Sequence, residues 1–378
     1  MIYLDYAAST PIDEDVLNNY ISVTKNYFAN PNSNHDMGLQ AKELIDNATL
    51  KIANIFNCNP DEIIYTSGAT ESNNLAIRGV AERYKNKGKH ILVSSLEHNS
   101  IIASCTYLQE NGYEIELIPI NKDGLIDIES LKNMIRDDTI LVSVCSVDSE
   151  IGLVQPINKI GEYLKSKDII FHTDASQSFG KVNLDYSNCD LITIAPHKFY
   201  GMNGISVLIK KNNISLKPLI LGGKSTTVYR SGTPVTSLIT STEVAITKAF
   251  NNLDNNYKYI KELYDKLFAY FSSKKIIHIN NTDKSIPHTI NISVKGVKSD
   301  LFVKKLNDCG VMVSAKTSCC PLNTPSKLIY ALTRDKSLAS TSIRISLSHF
   351  TTDEEINTFI DIFDKCLEDV SKWKNMKK

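Results

Sequence analysis

The chain has 378 residues, enough for two domains at ~100–200 residues each. Its 42 Lys+Arg cancel its 42 Asp+Glu, which leaves no global field to draw in nucleic acid, and 42% apolar with 22% charged residues is the composition of a globular protein. No apolar stretch reaches the ~20 residues that span a bilayer, and the opening Met-Ile-Tyr-Leu-Asp-Tyr lacks a basic-then-apolar leader, so the cytoplasm is the expected compartment.

From about residue 60 to 210 short β-rich runs alternate with helical patterns. The expected strands are Glu62–Thr66, His90–Ser94, Glu114–Ile118, Thr139–Val144, Ile169–Thr173, Leu191–Ala195 and Ile205–Ile209. Between them lie helical patterns over Glu71–Lys85, Ser100–Glu110, Ile128–Arg136 and Ile157–Ser166. Such alternation predicts an α/β domain with a mainly parallel sheet, whose ligands sit beyond the carboxyl ends of the strands. A long helix from about Ser237 past Phe250 follows, then strands Thr289–Val294 and Ser342–Ser346 and a closing helix opened by the capping box Thr352/Glu355. This second part reads as a smaller α+β unit. The expected division is a large unit over 14–250 and a small one made of 251–378 together with the N-terminal segment 1–13.

Polar motifs fall at the ends of the apolar runs. Tyr65-Thr-Ser-Gly-Ala-Thr-Glu-Ser-Asn-Asn74 follows a strand and opens a helix, with Gly68 expected at a tight turn and backbone amides facing outward. Helix N-termini bind anions, although a plain N-cap looks the same. Asp174, in Phe171-His-Thr-Asp-Ala-Ser-Gln-Ser178, stands where a strand stops, with Gln177 three residues on. Leu191-Ile-Thr-Ile-Ala-Pro-His-Lys198 repeats the design and carries His197 and Lys198. A desolvated lysine has a lowered pKa and is a better nucleophile toward an aldehyde. His98 follows a third strand and could move protons near neutral pH. Arg230-Ser-Gly-Thr233 is a polar turn able to grip phosphate. Arg344, between two isoleucines, needs a carboxylate from substrate or protein. The eight cysteines show no C-x-x-C and no metal-ligand spacing. Cys58, Cys105, Cys145, Cys189, Cys309 and Cys366 read as free thiols, whereas Cys319-Cys320 sits in a polar loop, Ser314–Pro325.

In order and spacing these segments resemble the NifS-like cysteine desulfurases, class V aminotransferases among the fold-type I pyridoxal phosphate (PLP) enzymes. The resemblance covers nearly the whole chain, from Tyr3-Leu-Asp-Tyr-Ala-Ala-Ser-Thr-Pro11 and Phe28-Ala-Asn-Pro31 through Thr66-Ser-Gly-Ala-Thr-Glu-Ser72, Glu97-His98, Asp174-Ala-Ser-Gln177 and His197-Lys198 to Ser342-Ile-Arg-Ile-Ser346. It implies that Lys198 holds PLP as a Schiff base and shuttles the substrate α-proton. Asp174 would pair with the pyridinium, Gln177 with the phenolic oxygen, and His98 would lie over the ring. Ala69, Thr70 and His197 would hold the phosphate, joined by Thr233 of a second copy in a homodimer. Arg344 would bind the carboxylate of L-cysteine. Cys319 would take the sulfur as a persulfide, leave L-alanine, and pass the sulfur to an acceptor protein of tRNA-thiolation, thiamine or iron–sulfur pathways.

Three positions depart from the family pattern. Asp148-Ser-Glu-Ile-Gly152 stands where Asn-Asn-Glu-Ile-Gly is usual, so Ser149 replaces a carboxylate-gripping Asn. A lost hydrogen bond to a charged group costs ~1.5–3 kcal/mol, which keeps a selenocysteine lyase or another PLP-dependent carbon–sulfur lyase or aminotransferase open as an alternative, with a degenerate PLP-fold scaffold behind them. Ala195 replaces a phosphate-binding Ser, and Lys316-Thr-Ser-Cys319 replaces Gly-Ser-Ala-Cys. Cys320 is the rival nucleophile.

Overall fold

The computed structural model of the protein describes residues 1–315 and 324–376; Cys319 and Cys320 lie outside them. After a short first strand, β1 (Ile2–Tyr3), seven described strands build the main sheet. They are β2 (Ile63–Thr66), β3 (His90–Ser94), β4 (Glu114–Ile118), β5 (Thr139–Ser143), β6 (Ile170–Asp174), β7 (Leu191–Ile194) and β8 (Ser206–Lys210), in the order β2-β8-β7-β6-β5-β3-β4. All but the edge strand β4 are buried throughout, which is why they read in the sequence as continuous apolar runs. Side chains alternate across the sheet. Ile91 and Val93 of β3 join Leu75, Ile77, Ile101 and Leu108 under helices Ala69–Tyr84 and Asn99–Glu110, while Leu92 joins the opposite core with Ile52, Ile239 and Ile246.

Strands β3 to β7 run parallel where they pair, whereas β8 pairs antiparallel with both β7 and β2. Two reversals restore β2 to the direction of β7. The carboxyl ends of β2, β3, β5, β6 and β7 therefore open on one edge, and every polar motif beyond a strand is delivered there.

The second part carries the antiparallel strands β9 (Ile277–Ile279), β10 (Thr289–Val294) and β12 (Ser342–Ser346), while β11 (Val311–Met312) pairs with β1. Helices Leu253–Ser272, Ser299–Asp308 and Asp353–Met376 lie against this sheet around Phe271, Phe302, Phe359 and Phe363. The expected capping box is formed: the Glu355 amide donates to Thr352 Oγ1 (3.1 Å) and the Thr352 amide to Glu355 Oε2 (2.9 Å). No helix among the described residues is long and apolar enough to cross a membrane.

The N-terminal segment joins the two parts. Ile2 and Leu4 are packed in the second core, and the Ser346 amide donates to the Leu4 carbonyl (2.8 Å). Six residues later, the Thr10 amide and hydroxyl both donate to the His197 carbonyl beyond β7 (3.1 and 3.0 Å). Leu4 is fully buried, so Leu4→Ala is expected to cost ~2–5 kcal/mol in a denaturant titration. A loss under ~1 kcal/mol would mean that this segment is not part of the core.

Candidate active site

One cavity of about 720 Å³ opens at the carboxyl edge of the main sheet, and its wall includes Lys198, Asp174, Gln177, His98 and His197. Lys198 sits in the 3-10 turn Pro196–Lys198 after β7. Its Nζ donates to the carbonyls of Ala7 (3.0 Å) and Ala8 (2.5 Å). Gln177 Nε2 donates to the same Ala7 oxygen (2.9 Å), and Gln177 Oε1 accepts from Lys181 Nζ (2.7 Å). Lys181 is buried and has no ion pair among the described residues. Burial first, then the neighbouring Lys198 and Arg344 cations, lower its pKa to about 7.

Asp174 ends β6 with its carboxylate held on both oxygens. Oδ1 accepts from the Ser176 amide (2.9 Å) and Oδ2 from Asn73 Nδ2 (2.8 Å). Asn73, fully buried on the helix after Gly68, also donates to Ser100 Oγ (2.9 Å). Ser100 Oγ in turn lies 2.9 Å from His98 Nδ1, so a polar chain joins the carboxylate to the imidazole. His98 is the N-cap of helix Asn99–Glu110, and its Nδ1 accepts from the Ser100 amide (3.2 Å). An accepting Nδ1 assigns the proton of the neutral ring to Nε2. Burial lowers the His98 pKa, with Asp174 opposing and Lys198 adding to the shift. Asn73, Ser100 and Lys181 carried no motif signal of their own. Their packing against the named residues is what brings them forward.

Ala69 and Thr70 open a 16-residue helix that no side chain caps, and both line the cavity together with Gly68. Gly68 has φ 165°, extended backbone open to any residue, so the expected tight turn is not why glycine stands there. A Cβ at Gly68 would meet nothing within 4 Å; it would project into the open space beside the helix amides. Uncapped amides, that open space and the buried, unpartnered Ser176 Oγ on the cavity wall suit the phosphate of PLP. His197 also lines this space, its pKa lowered to about 4 by burial, then by the Lys198 and Lys181 cations. Ala195 lies on the wall without a polar side chain to offer.

Arg344 reaches the cavity from β12 and is 2% exposed. One terminal nitrogen donates to Asp5 Oδ1 (2.8 Å) and the other to the carbonyl of Ser149 (2.8 Å), while Nε is buried without a partner. Asp148 does not face the cleft. Its carboxylate accepts from the amides of Glu150, Ile151 and Leu153 (2.7, 3.0 and 2.6 Å) and is spent on its own loop. Arg230 pairs with Glu71 (2.9 Å), which also holds the Ser67 amide (2.7 Å). Thr233 lies in a separate depression with Arg230 and Gly232 that shares only Ser67 with the cleft. The proposed carrier Cys319 and its rival Cys320 lie outside the described residues; Cys145, buried, lines the cleft.

Gly68→Val should leave the thermal midpoint of the apoprotein unchanged, because its backbone is extended and its surroundings are open. It should weaken PLP binding in a fluorescence titration by roughly tenfold or more, as hydrogen bonds worth ~1–3 kcal/mol are displaced. Unchanged affinity would place the phosphate elsewhere.

The family profile described as aminotransferase class-V matches residues 2–359. Cysteine desulfurase IscS of Rickettsia bellii is 38% identical over 363 residues, covering 94% of this chain and 88% of that protein. A solved structure titled NifS-like protein superposes with a TM-score of 0.91 at 28% identity, covering 97% of this chain and 99% of that one. Another, titled SspA in complex with cysteine, gives 0.81 at 32% identity over 93% of this chain and 100% of that one. With a profile match over nearly its whole length, the chain belongs to the class-V aminotransferases.

Proposed function

We propose that the chain is a PLP-dependent cysteine desulfurase that moves sulfur from L-cysteine to Cys319 and on to an acceptor protein. The observation that supports it most directly is the convergence of Lys198, Asp174, Gln177 and His98 on one cavity whose wall also holds Arg344. The homologues that carry the desulfurase name span nearly the full chain. On this reading residues 14–250 bind the cofactor, while residues 1–13 and 251–378 bring Asp5, Arg344 and Cys319 to it.

When bound, PLP supplies an electron sink for the pair left at the substrate carbon. Lys198 Nζ would hold the cofactor through its aldehyde and would carry the substrate α-proton. Asp174 keeps the proton on the pyridine nitrogen, and Gln177 presents an N–H to the phenolic oxygen. Ala69, Thr70 and His197 take the phosphate. Thr233 of a second copy completes that set in a homodimer, consistent with its distance from the cleft of its own chain. His98, neutral and with its proton on Nε2, would lie over the ring. Arg344 binds the substrate carboxylate, steered by Asp5 and the Ser149 carbonyl.

The transfer step balances without an added oxidant. The Cys319 thiolate attacks the substrate sulfur, and the S–S bond forms as the carbon–sulfur bond breaks. The electron pair stays with carbon, and a proton delivered there gives L-alanine.

Incubation with PLP and L-cysteine should release alanine and add the mass of one sulfur atom to the peptide carrying Cys319. Cys319→Ala should abolish turnover; undiminished alanine in that variant would instead assign a lyase that frees sulfide directly. Arg344→Ala should raise KM for cysteine roughly tenfold to a hundredfold, the worth of a charged hydrogen bond at ~1.5–3 kcal/mol, and an unchanged KM would remove Arg344 from the substrate site.

A further inference from the structure

Glu97 adjoins His98 yet has no part in the scheme above. Its Oε1 accepts from Ser94 Oγ at the end of β3 (2.8 Å) and from the Cys145 amide beyond β5 (2.5 Å). Ser94 Oγ also accepts from the Leu96 amide (3.1 Å), and Cys145 Sγ lies 3.7 Å from the Leu96 carbonyl. The turn 96–98 is thus stitched to two neighbouring strands through one carboxyl. Oε2 is buried, and among the described residues it has no hydrogen-bond partner and Glu97 no ion pair. The titratable groups that face it are the thiols of Cys105 and Cys145 and the carboxylate of Asp174, none of them a cation. A carboxylate left bare in such a place is costly, and a proton on Oε2 lowers the cost to that of an unpaired hydroxyl. Burial, and next to it the Asp174 charge, raises the pKa to about 8 against the pull of the Ser94 hydroxyl.

We propose that Glu97, as the neutral acid, is a positioning residue for the desulfurase reaction: its carboxyl clamps the turn that carries His98 to the end of β5 and so fixes the imidazole over the cleft. The proposal rests on the desulfurase reading for the role of His98, but the clamp itself is a property of the apoprotein. Gln has the same shape, accepts through its carbonyl and cannot ionise. Ala removes the clamp.

In the apoprotein, E97A is expected to uncover Cys145, now 5% exposed, and to speed its labelling by iodoacetamide in peptide maps. The increase should be roughly tenfold or more, as local opening is eased, while E97Q stays slow. A folded pKa above the ordinary glutamate value means that stability is present at low pH and lost as pH rises toward about 8. The thermal midpoint of the wild-type apoprotein should therefore gain on going down from pH 8, relative to E97Q, which lacks this titration. With PLP and L-cysteine, E97A should lower kcat roughly tenfold at constant KM, and E97Q should restore most of it.

E97Q as impaired as E97A, or a midpoint difference between E97Q and wild type that does not change with pH, would overturn the neutral acid. Unchanged Cys145 labelling and kcat in E97A would overturn the clamp. If E97A does not fold, the pH comparison of E97Q with wild type decides alone. Failure of the desulfurase reading is distinguishable: wild-type protein would then release no alanine while the apoprotein differences remained.

Discussion

The carbonyl oxygen of Ala7 accepts from Lys198 Nζ and from Gln177 Nε2, and the neighbouring Ala8 carbonyl takes a second hydrogen bond from the lysine. Neutral carbonyls orient an amine without the strong preference for its charged form that a carboxylate would impose. These two side chains of the cavity wall are held by a backbone that belongs to neither of their strands. That backbone is itself fixed at both ends, by Leu4 in the second core and by Thr10 at the His197 carbonyl. The geometry of the cleft therefore depends on both parts of the molecule being assembled at once.

Charge around the cleft is unevenly matched. Lys198, Lys181 and Arg344 stand on one side of the account, while Asp5 is committed to Arg344 and Asp174 to the Asn73 and Ser176 donors. The balance leans positive, and burial first, then the Lys198 and Lys181 cations, lowers the pKa of His197. A phosphorylated cofactor and a carboxylate substrate both bring the negative charge that such a site lacks. The uncapped helix N-terminus at the cleft adds its own partial positive charge, and its natural partner is likewise an anion rather than a side chain.

Much of the fold was legible because buried parallel strands leave continuous apolar runs bounded by polar turns. β3, β4, β10 and β12 fall where those runs lie, and the other main strands differ from them by a residue or so at their ends. Direction is not written in such a run, so nothing in Ile205–Ile209 revealed that β8 is antiparallel to both neighbours. Helices Glu14–Asn26 and Asp36–Ile55 escaped because their buried faces are sparse or built from small residues, such as Gly38, Ala41 and Ala48. In the site, residues at strand ends announced themselves. Asn73, Ser100 and Lys181 act through side chains distant in sequence, and nothing in the sequence revealed that the Asp148 carboxylate is spent on three amides of its own loop. Arg344 asked for a carboxylate in the sequence, but only packing could show that Asp5 already answers it.

The tie between the Ala7 amide and Ser346 Oγ closes a loop of 339 residues, and β1 pairs with β11 almost as far away. Contacts of that separation form only after the intervening chain exists, and they are slow to close. On a ribosome the main sheet can fold behind the exit tunnel while the segment that seats Lys198 and Gln177 still lacks its anchor. The first residues made are thus tied down only by some of the last, and a chain cut short before β12 would lack the Ser346 anchor of the segment that seats the lysine.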